Sequence, residues 1–230
     1  MSLYETIFVR RSVRQYDPTP LDADTLADIQ RVLDETAPLA GQSARFVLVG
    51  GDKINKAAAP HYILASCTPG DAAYANVGFV LQKMDLYLQS IGLGSCWLGM
   101  AKPNEPQADY AIMLAFGKTD VPQRGSQTQF KRLPLADISD ADNSAAQTAR
   151  LSPSAMNSQP WFLHFAPGKV TLQYVGRGVM KAILKKKMNK VDIGILTRIV
   201  VLALEHEGKT VREIAPIQDG KDFSVDVTYD

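Results

Sequence analysis

Two stretches half a chain apart constrain the fold most: residues 76–91 and 191–205 are apolar on nearly every side. In the first, Val77, Phe79, Val80, Leu81, Met84, Leu86, Leu88 and Ile91 leave no broad polar stripe of the kind a surface helix presents. Helices of this kind are buried and need neighbours on most sides. Glycines recur within and after them at a fixed spacing, Gly78 with Gly194 and Gly92 with Gly208, each pair 116 positions apart. Upstream, residues 37–46 align without gaps on 152–161, with Pro38 on Pro153 and Phe46 on Trp161, 115 positions apart. A spacing of half the chain, kept from Pro38 to Gly92, predicts two pseudo-repeats, about 1–125 and about 126–230. Two equivalent buried helices most simply pack on each other about an internal pseudo-twofold axis. The expectation is one cooperative unit over 1–230, a dimer-like arrangement inside a single chain.

The remaining periodicities predict an α+β protein with mixed, mainly antiparallel sheets flanked by helices. Leu26, Ile29 and Leu33 form the stripe of a surface helix over 22–35, and a further helix is expected over 135–150. Runs rich in β-branched and aromatic residues predict strands at 45–50, 62–66, 111–116, 161–165, 170–175, 211–215 and 223–229. A short strand should lead to Gly99.

Composition excludes several functions. Lys+Arg of 25 against Asp+Glu of 24 leaves +1, so no overall field draws in nucleic acid or an anionic membrane. The two cysteines, Cys67 and Cys96, have neither C-x-x-C spacing nor a histidine cluster, which argues against a metal site and suits a reducing, cytoplasmic setting. Residues 1–9 are too short and polar for a signal peptide, and no run reaches the roughly 18 apolar residues that span a bilayer.

Three segments can carry chemistry. Arg10-Arg11-Ser12-Val13-Arg14 follows a helix-like stretch at 3–9. Its guanidiniums and hydroxyl can grip a phosphate through forked donors; equally, arginines at a helix C-terminus can simply complement its dipole. The loop Leu151-Ser152-Pro153-Ser154-Ala155-Met156-Asn157-Ser158-Gln159-Pro160-Trp161 offers hydroxyl, amide and backbone N–H groups to the edge of a heterocycle, or is a plain helix-to-strand turn. Its counterpart, Pro38-Leu39-Ala40-Gly41-Gln42, lacks the serine and asparagine. Turn chemistry alone would require them in both copies, so the asymmetry favours a ligand. The third segment, Ile91-Gly92-Leu93-Gly94-Ser95-Cys96-Trp97-Leu98-Gly99-Met100, lets a flat ligand approach the backbone at Gly99, and it is no phosphate loop.

RRSVR, PSAMNSQPW and GLGSCWLG together resemble the signature segments of the FMN-dependent nitroreductase family. Phe130-Lys131-Arg132-Leu133-Pro134 is similar to that family's later basic segment at the flavin phosphate. The resemblance implies a nitroreductase-like α/β/α arrangement, in the compact branch whose dimer is fused into one chain. It also implies one FMN per chain, because the arginine segment and the Pro-Ser-x-x-Asn loop come from different repeats. Carried over, Arg10 and Ser12 would hold the phosphate and ribityl end, with Lys131 or Arg132 closing on the phosphate. Arg14 would lie near the pyrimidine side of the ring, Pro153, Ser154 and Asn157 would line the flavin, and the backbone of Trp97, Leu98 and Gly99 would face it. Arg11 would point away.

By the same resemblance, NAD(P)H would supply hydride and a small acceptor (nitroaromatic, quinone or activated alkene) would take it, with the flavin carrying the chemistry and no catalytic side chain required. A non-catalytic FMN-binding protein of the same fold is the alternative, and a monomer or weak homodimer is implied. Two departures weaken the parallel: the family's polar contacts to the pyrimidine edge have only Asn55 as a candidate, and the usual active-site excursion between the central helices is reduced. His61, His164 and His206 lack triad-like carboxylate spacing and read as structural. The run Lys181, Lys185, Lys186, Lys187, Lys190 reads as a solvated face or a rim that attracts nicotinamide dinucleotide phosphates.

Overall fold

The structure is a computed structural model that describes residues 1–177 and 181–230; the side chain of Lys181 also lies outside the described residues. Helix α1 (Leu3–Ile7) starts at a capping box in which Ser2 and Glu5 satisfy each other's backbone N–H. Helix α2 (Ala23–Asp34) is capped by Asp22, which accepts from the Thr25 N–H at 2.8 Å, and it buries Ile29 and Leu33. The apolar helices are α3 (Asp71–Ser90) and α6 (Met188–His206). Both begin before the expected positions, because their first turns carry few apolar residues to mark them.

The strands form two four-stranded sheets with every pair antiparallel. In the first, β1 (Arg45–Gly50), β2 (His61–Ser66), β3 (Gly94–Leu98) and β4 (Tyr110–Gly117) lie in the order β1-β2-β4-β3. In the second, β5 (Trp161–Ala166), β6 (Lys169–Tyr174), β7 (Val211–Asp219) and β8 (Asp222–Tyr229) lie in the order β5-β6-β8-β7. The two orders are the same when each half is counted from its own start. Parallel pairing occurs only as isolated bridges, Ser12 with Ser95 and Ser139 with Leu163, among the described residues.

Each sheet packs one face on the central helices. Ile63, Ile112, Leu114 and Phe116 meet Val77, Leu81 and Met84 of α3, and this core also takes in Val191 and Ile195 of α6. Trp161, Leu163, Leu172 and Val225 meet Ile193, Leu196 and Val200 of α6, and that core takes in Ala75 and Phe79 of α3. Each half therefore completes its core with the other half's helix.

The crossing of α3 and α6 explains the paired glycines. A Cβ on Gly78 would lie 2.0 Å from the Val191 carbonyl oxygen and 2.9 Å from the Ile195 nitrogen. A Cβ on Gly194 would lie 1.7 Å from the Ala75 carbonyl oxygen and 2.8 Å from the Phe79 nitrogen. Positions 75 and 191, 78 and 194, and 79 and 195 are each 116 apart, so the contact is reciprocal. The helix ends match as well. Gly92 and Gly208 adopt φ of +86° and +77°, and the following residues donate back, Leu93 N–H to the Leu88 carbonyl at 2.9 Å and Lys209 N–H to that of Leu204 at 3.0 Å.

One expected helix is largely absent. Residues 135–150 form a single 3-10 turn (Leu135–Asp137) and the short α4 (Ser144–Ala149). Polar side chains interrupt the apolar spacing. The Ser139 hydroxyl accepts from the Ala141 N–H at 3.1 Å, and Asn143 caps α4 by accepting from Ala146 N–H at 2.8 Å. Helix α5 (Lys181–Leu184) precedes α6. Among the described residues no helix is long and apolar enough to cross a membrane.

Candidate functional site

Helix α1 packs Ile7 against Leu86 of α3 and Ile199 of α6, which delivers Arg10 into the interior at 1% exposure. Arg10 Nε donates to Asp85 Oδ2 at 2.8 Å. Asp85 also accepts from Gln82 Nε2 at 3.2 Å, Gln89 Nε2 at 3.1 Å and Ser95 Oγ at 2.6 Å. Four donors around one carboxylate hold the Arg10 guanidinium in a single orientation. Its Nη2 is buried there without a partner.

The basic segment arrives beside it. Phe130 is buried in the same cluster as Ile7 and Leu151. The Arg124 guanidinium lies 4.2 Å and that of Arg132 5.5 Å from the Phe130 ring centre. Arg132 Nη1 donates to Asn157 Oδ1 at 2.6 Å and Nη2 to the Leu151 carbonyl at 3.0 Å, while Nε is buried without a partner. Burial, then the charges of Arg10, Arg124 and Arg150, push Arg132 down to about 10. Burial, then Arg10 and Arg11, push Arg124 down to about 10 as well. Both stay charged at neutral pH, so the fold bears the repulsion. Lys131 contributes its carbonyl, which accepts from Asn157 Nδ2 at 2.7 Å, and its side chain is exposed.

The polar loop is strained. Met156, Asn157 and Gln159 adopt φ of +52°, +56° and +46°, a region that non-glycine residues enter at a cost and that clusters at binding sites. Ser154 Oγ accepts from the Gln159 N–H at 2.9 Å, and Pro153 is half-buried beside it. The loop docks on the first turns of α6 through the Ala155 N–H, which donates to Asp192 Oδ1 at 2.9 Å. Asn189 Nδ2 donates to Asp192 Oδ2 at 3.0 Å and to Ser158 Oγ at 3.3 Å. Burial pushes the Asp192 carboxyl up to about 7, against the lowering effect of these donors. The first half holds the same bond with a neutral acceptor: Leu39 N–H donates to Asn76 Oδ1 at 2.8 Å. Leu39 and Ala155, like Asn76 and Asp192, are 116 apart, one more than the Pro38–Pro153 alignment implies. The loops then diverge. Leu39 is 1% exposed inside the second half's core, whereas Met156 is 73% exposed.

The third segment runs between these groups. Ser12 pairs with Ser95 of β3, and the Ser12 hydroxyl and Arg14 both act on the Cys96 thiol, which burial pushes up. Arg14 itself is exposed. Trp97 packs on the helix side of the first sheet and buries an Nε1 that has no partner. Leu98 alternates to the opposite face, against the cluster around Tyr62, so only its backbone shares the surroundings of Trp97. A Cβ on Gly99 would lie 2.9 Å from Met188 Sδ. Gly99 and Ala155 thus dock one helical turn apart on α6, at Met188 and Asp192.

Of the residues singled out in the sequence, Arg10, Arg132 and Asn157 form one group, Ser12 and Arg14 a second around β3, and Gly99 and Ser154 a third at the start of α6. Three residues were missed. Asp85 and Asp192 are carboxylates set among apolar neighbours within the two central helices, a signal that could have found them; Arg124 has none. The lysine run is no uniform solvated face. Lys185 and Lys186 are exposed, but Lys190 is 2% exposed, 2.8 Å from Asp71 and against the rings of Tyr174 and Phe223. Asn55 is exposed, with its N–H on the Lys102 carbonyl. His61 is buried and accepts from the Leu21 N–H, and His206 stacks on Tyr4. No group of His, Cys, Asp and Glu suited to a metal occurs among the described residues. A cavity of about 160 Å³ opens on the outer flank of the 10–14 segment, beside Arg11, Gln89 and Gln123. We place the site instead at the guanidinium cluster, where buried donors lack partners.

Residues 2–203 match the family described as "Putative TM nitroreductase". The fold is similar to that of a "putative nitroreductase" from Thermotoga maritima, at 22% identity and a TM-score of 0.72, over 99% of this chain and 94% of that one. A nitroreductase family protein from Clostridium difficile is 21% identical over 60% of this chain and 96% of its own, with a TM-score of 0.49. A nitroreductase with bound FMN from Bacteroides fragilis is 19% identical over 52% of this chain and 89% of its own, with a TM-score of 0.42. No curated protein matches the sequence.

Proposed function

The chain belongs to the family described as "Putative TM nitroreductase", and on that premise we propose that it is an FMN-dependent oxidoreductase, with one flavin per chain. It would accept hydride from NADH or NADPH and reduce a nitroaromatic, quinone or similar acceptor, as a cytoplasmic monomer or weak homodimer. The observation that carries this reading is the bond from Arg132 Nη1 to Asn157 Oδ1, 2.6 Å, next to two buried guanidinium nitrogens with no partner, Arg10 Nη2 and Arg132 Nε. Unpaired buried donors are costly, and phosphate oxygens would satisfy them. The residues present therefore fit the phosphate end of FMN.

When bound, FMN supplies the hydride relay between donor and acceptor. The protein's residues bind and orient it. Arg10, held rigid by Asp85, and Arg132, held by Asn157, grip the phosphate, with Ser12 at the adjoining ribityl end. The strained loop at Pro153, Ser154 and Asn157 closes one side, and the backbone of Trp97 to Gly99 closes another. Arg14, exposed and near Cys96, offers a positive charge at the ring end.

Absorbance and cofactor extraction on freshly purified protein test the reading, with one FMN per chain expected. Anaerobic bleaching of the flavin by NADH or NADPH should follow. Flavin-free protein that takes up no added FMN would overturn the proposal. Bound flavin that neither nucleotide bleaches would replace it with a non-catalytic FMN-binding role.

A further inference from the structure

Arg124 lies outside every segment singled out in the sequence, on the stretch that leads from β4 to Phe130. Its main chain is already anchored, by the N–H donating to the Val9 carbonyl at 2.8 Å. That bond needs no guanidinium. The side chain nevertheless turns inward, stacks 4.2 Å over the Phe130 ring and donates through Nη1 to the Arg10 carbonyl. One donor of the fork is thus committed to positioning, and the rest of the fork is left for a ligand. Arg132 meets the same ring, and the charges of Arg10 and Arg124 both act on it. Among the described residues, the acidic partner of these three guanidiniums is Asp85, which pairs with Arg10.

Three guanidiniums against one carboxylate, with the charges of Arg11 and Arg150 also acting on them, leave a positive excess of at least two in this corner. Proton loss does not relieve it, since Arg124 and Arg132, though lowered to about 10, remain protonated at neutral pH. A phosphate monoester dianion suits such an excess, and its three terminal oxygens offer one to each fork. A carboxylate or a neutral hydroxyl does neither.

Resting on the flavin reading above, we propose that Arg124 is a third phosphate-gripping residue, which makes this corner selective for the dianionic phosphate monoester and so for phosphorylated over unphosphorylated flavin. Arg10 and Arg132 are fixed by Asp85 and Asn157. Arg124 is carried by the stretch between β4 and Phe130 and closes the group from the third side.

The test is a titration of flavin-free protein with FMN, with riboflavin and with inorganic phosphate. Wild type should bind FMN at least about 100-fold more tightly than riboflavin. Arg124→Gln, which removes the charge and leaves the main-chain bond to the Val9 carbonyl in place, should lose about tenfold or more in FMN affinity while riboflavin binding stays the same. The salt dependence of FMN binding should weaken in parallel. Equal loss for both flavins, or no loss for either, overturns the proposal and makes Arg124 a structural strap. If the glutamine variant does not fold, the same affinity ratio is read in Arg124→Met, which removes the charge and can still cover the Phe130 ring; a ratio equal to wild type overturns the proposal. If wild type binds neither flavin, the functional reading fails and inorganic phosphate decides the inference. A phosphate-induced rise in Tm that Arg124→Gln abolishes supports it, and no rise in wild type, or one that the variant keeps, overturns it.

Discussion

Arg10 donates through Nε to Asp85 Oδ2 across 2.8 Å, with side-chain exposures of 2% and 0%. The pair joins the N-terminal segment to the middle of α3, and Ser95 extends the link to β3. Its importance shows when one member is lost. Removing one partner of a buried pair strands the other charge, at a cost of about 3–5 kcal/mol. Asp85→Ala is therefore expected to lower stability by roughly that much and to release flavin, because Arg10 is no longer held. Denaturant midpoints and flavin retention on a desalting column measure both. Wild-type stability in the variant would show the pair to be dispensable.

The two tryptophans report one from each half, Trp97 in the first sheet and Trp161 in the second. The shared core predicts one cooperative unit. Single-tryptophan proteins made by Trp97→Phe and Trp161→Phe should unfold at the same urea concentration, and circular dichroism should agree. Two separated transitions would show halves that fold independently.

Gly78→Ala and Gly194→Ala each place a Cβ within 2.0 Å of a backbone carbonyl oxygen. Backbone cannot move aside as a side-chain tip can, so the upper end of overpacking costs applies, about 3 kcal/mol. Because the contact is reciprocal, both substitutions should cost a similar amount in chemical denaturation. A tolerated alanine at either position would contradict the close crossing.

The diverged loops predict opposite phenotypes. Leu39→Ala empties a site in the second half's core and should cost about 2–5 kcal/mol, while the folded protein keeps its flavin. Asn157→Ala frees the Arg132 fork and should weaken FMN binding about tenfold, with little change in Tm. Calorimetry with a flavin titration separates the two effects. Flavin loss in Leu39→Ala at temperatures where it is folded would argue for a second binding loop.

Burial raises the Asp192 carboxyl to about 7, against about 3.9 in an unfolded chain. Between those values the folded state binds more protons than the unfolded one. The contribution of Asp192 to stability is thus full below about pH 4, falls as the pH rises, and is lost above about pH 7. Asp192→Asn, the residue type found at the mirror position 76, should flatten that decline. It should be relatively more stable than wild type near pH 8 than near pH 5. Parallel profiles of Tm against pH for the two proteins would refute the assignment.

Much of this was legible in the sequence because periodicity survives burial. The β-branched runs and the two apolar helices declared themselves, and the glycines at 78 and 194 marked the crossing. The region 135–150 was not legible, because Leu135, Ile138, Ala145 and Ala149 mimic a helical stripe while Ser139 and Asn143 break it through local hydrogen bonds. Arg10, Arg132 and Asn157 could be found from motif resemblance. Asp85, Arg124 and Asp192 could not be assigned roles, since a charge acquires its partner only when distant segments meet, and each lies far along the chain from the group it serves.

The crossing of α3 and α6 has a consequence for how the two sides can change. In an assembly of two identical chains every substitution appears twice, and a residue that suits one edge must be tolerated at the other. Here both edges of a two-sided contact are encoded separately. Position 76 can keep a neutral amide where position 192 carries an acid, and the first loop can bury Leu39 in the core while the second exposes Met156. The chain keeps the geometry of a symmetric pair while each member is free to specialise alone.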